Sequence, residues 1–180
     1  MHIAKLKPEK GSENTLFQMI EDADRLFYAA KEHYDNGAVS AAAEAYQQIL
    51  DEYPNHGKSL AHLAEIFISY YKNPSQAEDL IRKAIQNEPS YTTSYFLFAD
   101  LLLEQERYSE LIAVLNKVKE IPGVAKDFVL KYFALLNEMQ GNYDQAIDFF
   151  KQAIRKSLSN KNITEFAEAI DRCNLKKQID

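Results

Sequence analysis

A small residue returns along this chain at Ala30, Ala64, Ala99 and Ala134, at spacings of 34, 35 and 35. A second series, Ala42, Ala77, Leu111 and Ala146, recurs at 35, 34 and 35, always twelve or thirteen residues after the first. Two interlocked series with one period indicate a tandem array of supersecondary units, each too small to bury its apolar face alone. Each member of the first series sits in a helical pattern: Leu26, Ala29, Ala30, His33; Leu60, Leu63, Ala64, Phe67; Tyr95, Phe98, Ala99, Leu102; Leu130, Phe133, Ala134, Asn137. The second series opens another: Ala42, Tyr46, Ile49; Ala77, Ile81, Ala84; Leu111, Leu115, Val118; Ala146, Phe150, Ala153. Paired helices approach closely where they cross, and alanine there leaves room for a partner's Tyr or Phe. Leu111 departs from that rule and predicts a splayed or shifted third pair.

The punctuation agrees with this reading. Asn36-Gly37, Asn73-Pro74 and Gly141-Asn142 fall between paired helices, where Gly relieves a left-handed ending and Asn caps the next helix. Asn73-Pro74-Ser75-Gln76 and Asn142 to Gln145 carry the same capping logic. Pro54, Pro89 and Pro122 close the first three units, and Leu158 stands at the equivalent place in the fourth. Helices are predicted over about 14–36, 38–52, 57–71, 74–87, 91–105, 108–120, 125–140 and 143–157. A ninth, amphipathic through Ile163, Phe166, Ala167 and Ile170, covers the end of the array. The expected organisation is a tail over 1–11 and one domain over 12–180. Its repeats are placed at about 23–56, 57–91, 92–124 and 125–158, with a capping helix at about 162–176.

Composition narrows the function. With 180 residues, 46% of them hydrophobic, the chain can bury a core without metal or disulfide. A net charge of −6 argues against nucleic acid as the main partner. Acidic residues outnumber basic ones by about two to one between Glu44 and Glu110, while Lys151, Arg155, Lys156, Lys161, Arg172, Lys176 and Lys177 crowd the end, read as a solvated basic face. The single cysteine, Cys173, excludes an internal disulfide and reads as a packed small residue in a reducing compartment. No uncharged stretch is long enough to span a bilayer, and a cytoplasmic protein without membrane insertion is expected. His2 lies in the tail, His33 on a core-facing position, His56 in a turn and His62 at a helix surface. No second ligand meets any of them at metal spacing, and no phosphate loop or nucleophile elbow occurs. Neither metal, cofactor nor catalysis is expected.

The spacing and residue types resemble the tetratricopeptide repeat. The resemblance is carried by Leu26, Ala29-Ala30, His33, Ala42, Tyr46 and Pro54 in the first unit and Leu130, Phe133-Ala134, Asn137, Ala146 and Phe150 in the fourth. The second unit, Leu60 to Pro89, has one extra residue in its turn, and the third, Tyr95 to Pro122, lacks the alanine. The resemblance covers residues 23–158. It implies an all-α solenoid of four helical hairpins with a C-terminal capping helix, wound as a right-handed superhelix whose first helices line a concave groove for a peptide. That groove would be lined by Phe27, Lys31, Tyr34, Glu65, Ile68, Phe96, Asp100, Leu103, Lys131 and Leu135, with Asp24, Lys58, Ala61, Thr93, Phe128 and Glu138 in the same rows. An apolar floor there calls for a covering partner, either a foreign chain or the tail, the closing helix or a second copy, and Glu65, Asp100 and Glu104 make its middle negative. The expected client therefore has apolar anchors with basic flanks, and hot spots are placed at Phe27, Tyr34 and Phe96. Carboxylate capture is disfavoured, because Lys31 stands alone and Glu65 and Asp100 would repel an anion. The implied function is a non-enzymatic adaptor or chaperone-like scaffold. The alternatives are a chaperone similar to those of bacterial type III secretion, or a structural subunit that assembles with copies of itself.

Overall fold

The computed structural model describes residues 10–179, with side chains described from Gln18 onward. Among the described residues there are nine helices and no strand. They are α1 (Lys10–Asp35), α2 (Val39–Glu52), α3 (Gly57–Ser69), α4 (Pro74–Asn87), α5 (Thr92–Glu104), α6 (Tyr108–Val118), α7 (Lys126–Met139), α8 (Tyr143–Lys156) and α9 (Asn160–Lys177). The eight helices read from the repeat lie within a few residues of their expected ends. The ninth extends further at both ends. α1 begins at Lys10, inside the stretch expected to be a tail, and residues 1–9 lie outside the described residues. The chain divides into two compact units, residues 1–94 and 95–180.

Within unit 1, α1 packs on α2, α2 on α3 and α3 on α4; within unit 2, α6 packs on α7, α7 on α8 and α8 on α9. Both alanine series are buried in these units. Ala30, Ala64, Ala99 and Ala134 are at most 1% exposed, and Ala42, Ala77, Leu111 and Ala146 are fully buried. The large side chains that alanine admits are Tyr46 and Ile81 in unit 1 and Phe150 in unit 2, where Phe150 meets Phe166 of α9 at a ring separation of 6.3 Å. Each such burial contributes about 1.5–3 kcal/mol. The registry of α1 differs from expectation. Ala23, Phe27 and Ala30 face inward, whereas Leu26 and His33 are exposed. None of the described helices covers their side of α1.

The helix ends explain the period. Gly37, Glu106 and Gly141 take left-handed backbone at φ 77°, 57° and 76°. The next amide in each case reaches back five residues, Ala38 to His33, Arg107 to Leu102 and Asn142 to Asn137. This closes the first helix by the same 6→1 bond in three units. The second unit inserts one residue: Lys72 is left-handed at φ 52° and the Asn73 amide reaches back six, to Phe67. Asn73 then caps α4 by accepting the Gln76 amide at 3.2 Å, ahead of Pro74. Asn142, expected to do likewise for α8, makes no side-chain capping bond.

Candidate functional site

In unit 2 residues of α5 and α7 form an aromatic shelf. Phe96 stacks on Tyr132 with centroids 5.7 Å apart and planes 10° apart, and Phe128 meets Phe96 at 5.5 Å. The Tyr132 hydroxyl donates to Asp100 Oδ1 at 2.8 Å, which fixes both groups. Phe96 and Phe128 remain partly exposed while Tyr132 is buried beneath them. The Lys131 ammonium lies 5.6 Å from the Phe128 centroid and 5.2 Å from that of Tyr132, within cation–π range. Desolvation raises the Asp100 carboxyl above the ordinary carboxylate value, although Tyr132 and Lys131 pull the other way. Leu103 and Leu135 are partly buried in the same unit.

In unit 1 the corresponding rows hold a more polar arrangement. Phe27, expected on the floor, is only 3% exposed. It is enclosed by Tyr46 at 5.9 Å and His62 at 5.1 Å. Ala61 is buried too, while Lys31, Tyr34, Glu65 and Ile68 stay partly exposed, as do Asp24, Lys58 and Thr93 of the same rows. Lys31 is held by Asp35 at 2.6 Å on its own helix. Burial and the neighbouring Glu65 push the Tyr34 phenol above its ordinary value. His62, expected on a helix surface, is buried. Its Nε2 lies 2.9 Å from the Tyr91 hydroxyl. Its Nδ1 is 3.4 Å from Glu65 Oε2, an electrostatic contact rather than a well-formed hydrogen bond. Burial would raise the Glu65 carboxyl, but His62 and Tyr34 together hold it below its ordinary value.

Two ionic ties complete the picture. Lys58 donates to both oxygens of Asp24 at 2.7 and 2.9 Å, and His56, the cap of α3, lies 3.1 Å from the same carboxylate. In unit 2 Glu138 is buried and receives Arg172 at 2.7 Å on each oxygen and Lys176 at 2.9 Å. Lys177 pairs with Asp144. The basic end of the chain is therefore partly consumed in fastening α9, a correction to the solvated face expected from composition. Both main ties join residues 34 apart, Asp24 to Lys58 and Glu138 to Arg172. Opposite charges one period apart were the signal that would have found them. Among the described residues no group of three His, Cys, Asp or Glu could hold a metal ion, and no helix is long and apolar enough to cross a membrane.

The fold defines an array of helical hairpins of the repeat class. A sequence model for the tetratricopeptide repeat matches residues 27–69, and a second matches 132–157. The chain carries tetratricopeptide repeats. It is similar to the mitochondrial import receptor subunit TOM70, at 21% identity to the Mus musculus protein over 89% of this chain and 26% of that protein. The Homo sapiens protein is 20% identical over 97% of this chain and 28% of its own length. The chain thus spans about a quarter of the length of these relatives. Among solved structures it resembles PilF of Pseudomonas aeruginosa, with a TM-score of 0.77 at 20% identity over 89% of this chain and 71% of that one. It also resembles a tetratricopeptide-repeat protein of Thermus thermophilus, with a TM-score of 0.70 at 16% identity over 88% and 86%. At these identities the likeness concerns the fold.

Proposed function

We propose that this chain is a non-enzymatic interaction scaffold, adaptor or chaperone-like, that holds a client polypeptide against the inner faces of its first helices. The supporting observation is the partly exposed Phe96–Phe128 shelf, stiffened from below by the Tyr132–Asp100 hydrogen bond. A rigid aromatic surface binds at little entropic cost and supplies the hot spots of protein interfaces. Asp100 and Glu104 in unit 2 and Glu65 in unit 1 favour basic flanks on the client, while Lys31 is already committed to Asp35. The mitochondrial receptor relative is named for protein import, which accords with a polypeptide ligand. In unit 1 the contact falls to Tyr34 and Ile68 rather than to Phe27.

The test is a peptide array with basic-flanked apolar segments, followed by calorimetry on the best binder with wild type, Phe96→Ala and Tyr34→Ala. Loss of about 2 kcal/mol in Phe96→Ala is expected for a shelf residue. Unchanged binding in both variants would reject the inner face as the site.

A further inference from the structure

The turn leading out of a second helix is displayed at the same place in each unit, but with opposite character. In unit 1 that turn and the middle of α1 enclose a concavity of about 490 Å³ lined by Met19 and Ile20, 44% and 51% exposed. The charged residues lining it are Asp24, Glu52 and Glu88 against Lys58, with His56 beside them. Lys58 is drawn to Asp24 and lies 3.9 Å from Glu88. Glu52 is exposed and makes no ion pair among the described residues. This face is an apolar hole with an acidic rim.

In unit 2 the turn 156–159 and the start of α7 form a concavity of about 650 Å³. From it Leu158 stands fully exposed, at 101%, where the other units carry proline. It is not a loose end. The Ser157 amide is bound by Ala153 O at 2.9 Å, and the Ser159 hydroxyl caps α9 by accepting the Asn162 amide at 3.3 Å. Lys126 and Lys156 flank Leu158, and neither makes an ion pair among the described residues. The one carboxylate there, Asp127, is engaged by the Asn162 side-chain amide at 3.2 Å. This face is a fixed apolar knob with a basic rim.

We infer that these two faces meet between copies of the chain: Leu158 of one copy seats between Met19 and Ile20 of another, and Lys126 and Lys156 face Glu52 and Glu88. The charges select this arrangement. Two Leu158 faces would oppose lysines to lysines, and two Met19 faces would oppose carboxylates to carboxylates. The contact is accordingly head to tail rather than two-fold symmetric. The chain's net charge of −6 disfavours an anionic membrane as the occupant of the Leu158 knob. One knob with a few exposed charge pairs makes a weak, salt-sensitive contact. Of the residues that line the two faces, Phe128 alone also belongs to the aromatic shelf.

The experiment is sedimentation velocity on the full chain from about 5 μM to about 500 μM, the range of weak association, at low and at high salt. Mass is expected to grow with concentration at low salt and to fall back at high salt. Leu158→Asp and Glu52→Lys should each weaken association about tenfold, and Glu52→Lys combined with Lys156→Glu should recover it. All these side chains are exposed, so unchanged thermal melting verifies that the variants fold, and Ile20→Asp repeats the test from the hole side. A monomer at every concentration overturns the inference, as does association indifferent to Leu158→Asp and Ile20→Asp. Sedimentation of monomeric wild type with phosphatidylserine vesicles, lost in Leu158→Asp, would give the knob to a membrane and overturn it equally.

Discussion

The tie between α7 and α9 gives an asymmetric prediction. The Glu138 side chain is 4% exposed, while Arg172 and Lys176 are 48% and 44% exposed. Removing the buried partner frees two cations that already stand half in water and can rehydrate. Removing the cations strands a carboxylate in a site that water barely reaches. Glu138→Gln should therefore cost about 1–2 kcal/mol, closer to a surface pair than to a buried one. Arg172→Met with Lys176→Met should cost about 3–5 kcal/mol, the range for an uncompensated buried charge. Adding Glu138→Gln to that double variant should then recover about 2 kcal/mol, because no charge is left to desolvate. Urea unfolding of the full chain at neutral pH, with hydrogen exchange along α9, measures all four proteins. Equal costs for the two perturbations, or no recovery in the triple variant, would refute the reasoning.

The same group fixes a pH dependence. Burial pushes the Glu138 carboxyl up, but the hydrogen bonds from Arg172 and Lys176 outweigh it, and the group sits below the ordinary glutamate value of 4.5. A carboxyl depressed in the folded state contributes stability that is fully present above its unfolded value and is lost as pH falls through the folded one. The gap between wild type and Glu138→Gln should thus hold from neutral pH down to the ordinary glutamate value of 4.5 and close as pH falls further, through the depressed value of the folded state.

Three further outcomes are expected. The Tyr46 hydroxyl is fully buried without a hydrogen-bond partner among the described residues, so Tyr46→Phe should stabilise the chain by about 1 kcal/mol in urea titration. A Cβ on Gly57 would lie 2.4 Å from Glu88 Cβ and 3.2 Å from the Ala84 carbonyl oxygen, so Gly57→Ala should destabilise by about 1–3 kcal/mol on the same assay. Burial, reinforced by Glu138, pushes the Cys173 thiol up to about 11, so it should resist a thiol reagent at pH 8 in the native protein and react once α9 is released by Arg172→Met with Lys176→Met or by urea.

The hairpin array was legible because its two determinants are local and periodic. Alanine at eight crossing points, one of them replaced by Leu111, has no purpose except close approach, and every one of those side chains is buried. Where a turn used glycine it was readable, as at Gly37 and Gly141. Where the same left-handed ending falls on Lys72 or Glu106, the backbone requirement is met by residues that carry no signature of it. The face of α1 was misjudged at Leu26 and His33 because the repeat pattern assumes a neighbour on each side. Among the described residues the first unit has none on that side, and an internal position becomes a surface one.

The candidate site was half legible for a different reason. Residue type names which side chains project from the inner rows, but not how deep they settle. Phe27 and Phe96 occupy equivalent rows, yet Phe27 is enclosed by Tyr46 and His62, whereas Phe96 lies over Tyr132 and stays open. The difference arises from what fills the space behind each ring, and that is decided one period away in sequence. Both ionic ties obey the same logic. In a repeat array the nearest foreign neighbour of a side chain on a first helix is the residue about 34 positions on. Charges that look solvated in a linear reading, such as Lys58 or Arg172, are the ones to compare across that interval before a basic or acidic stretch is read as free surface.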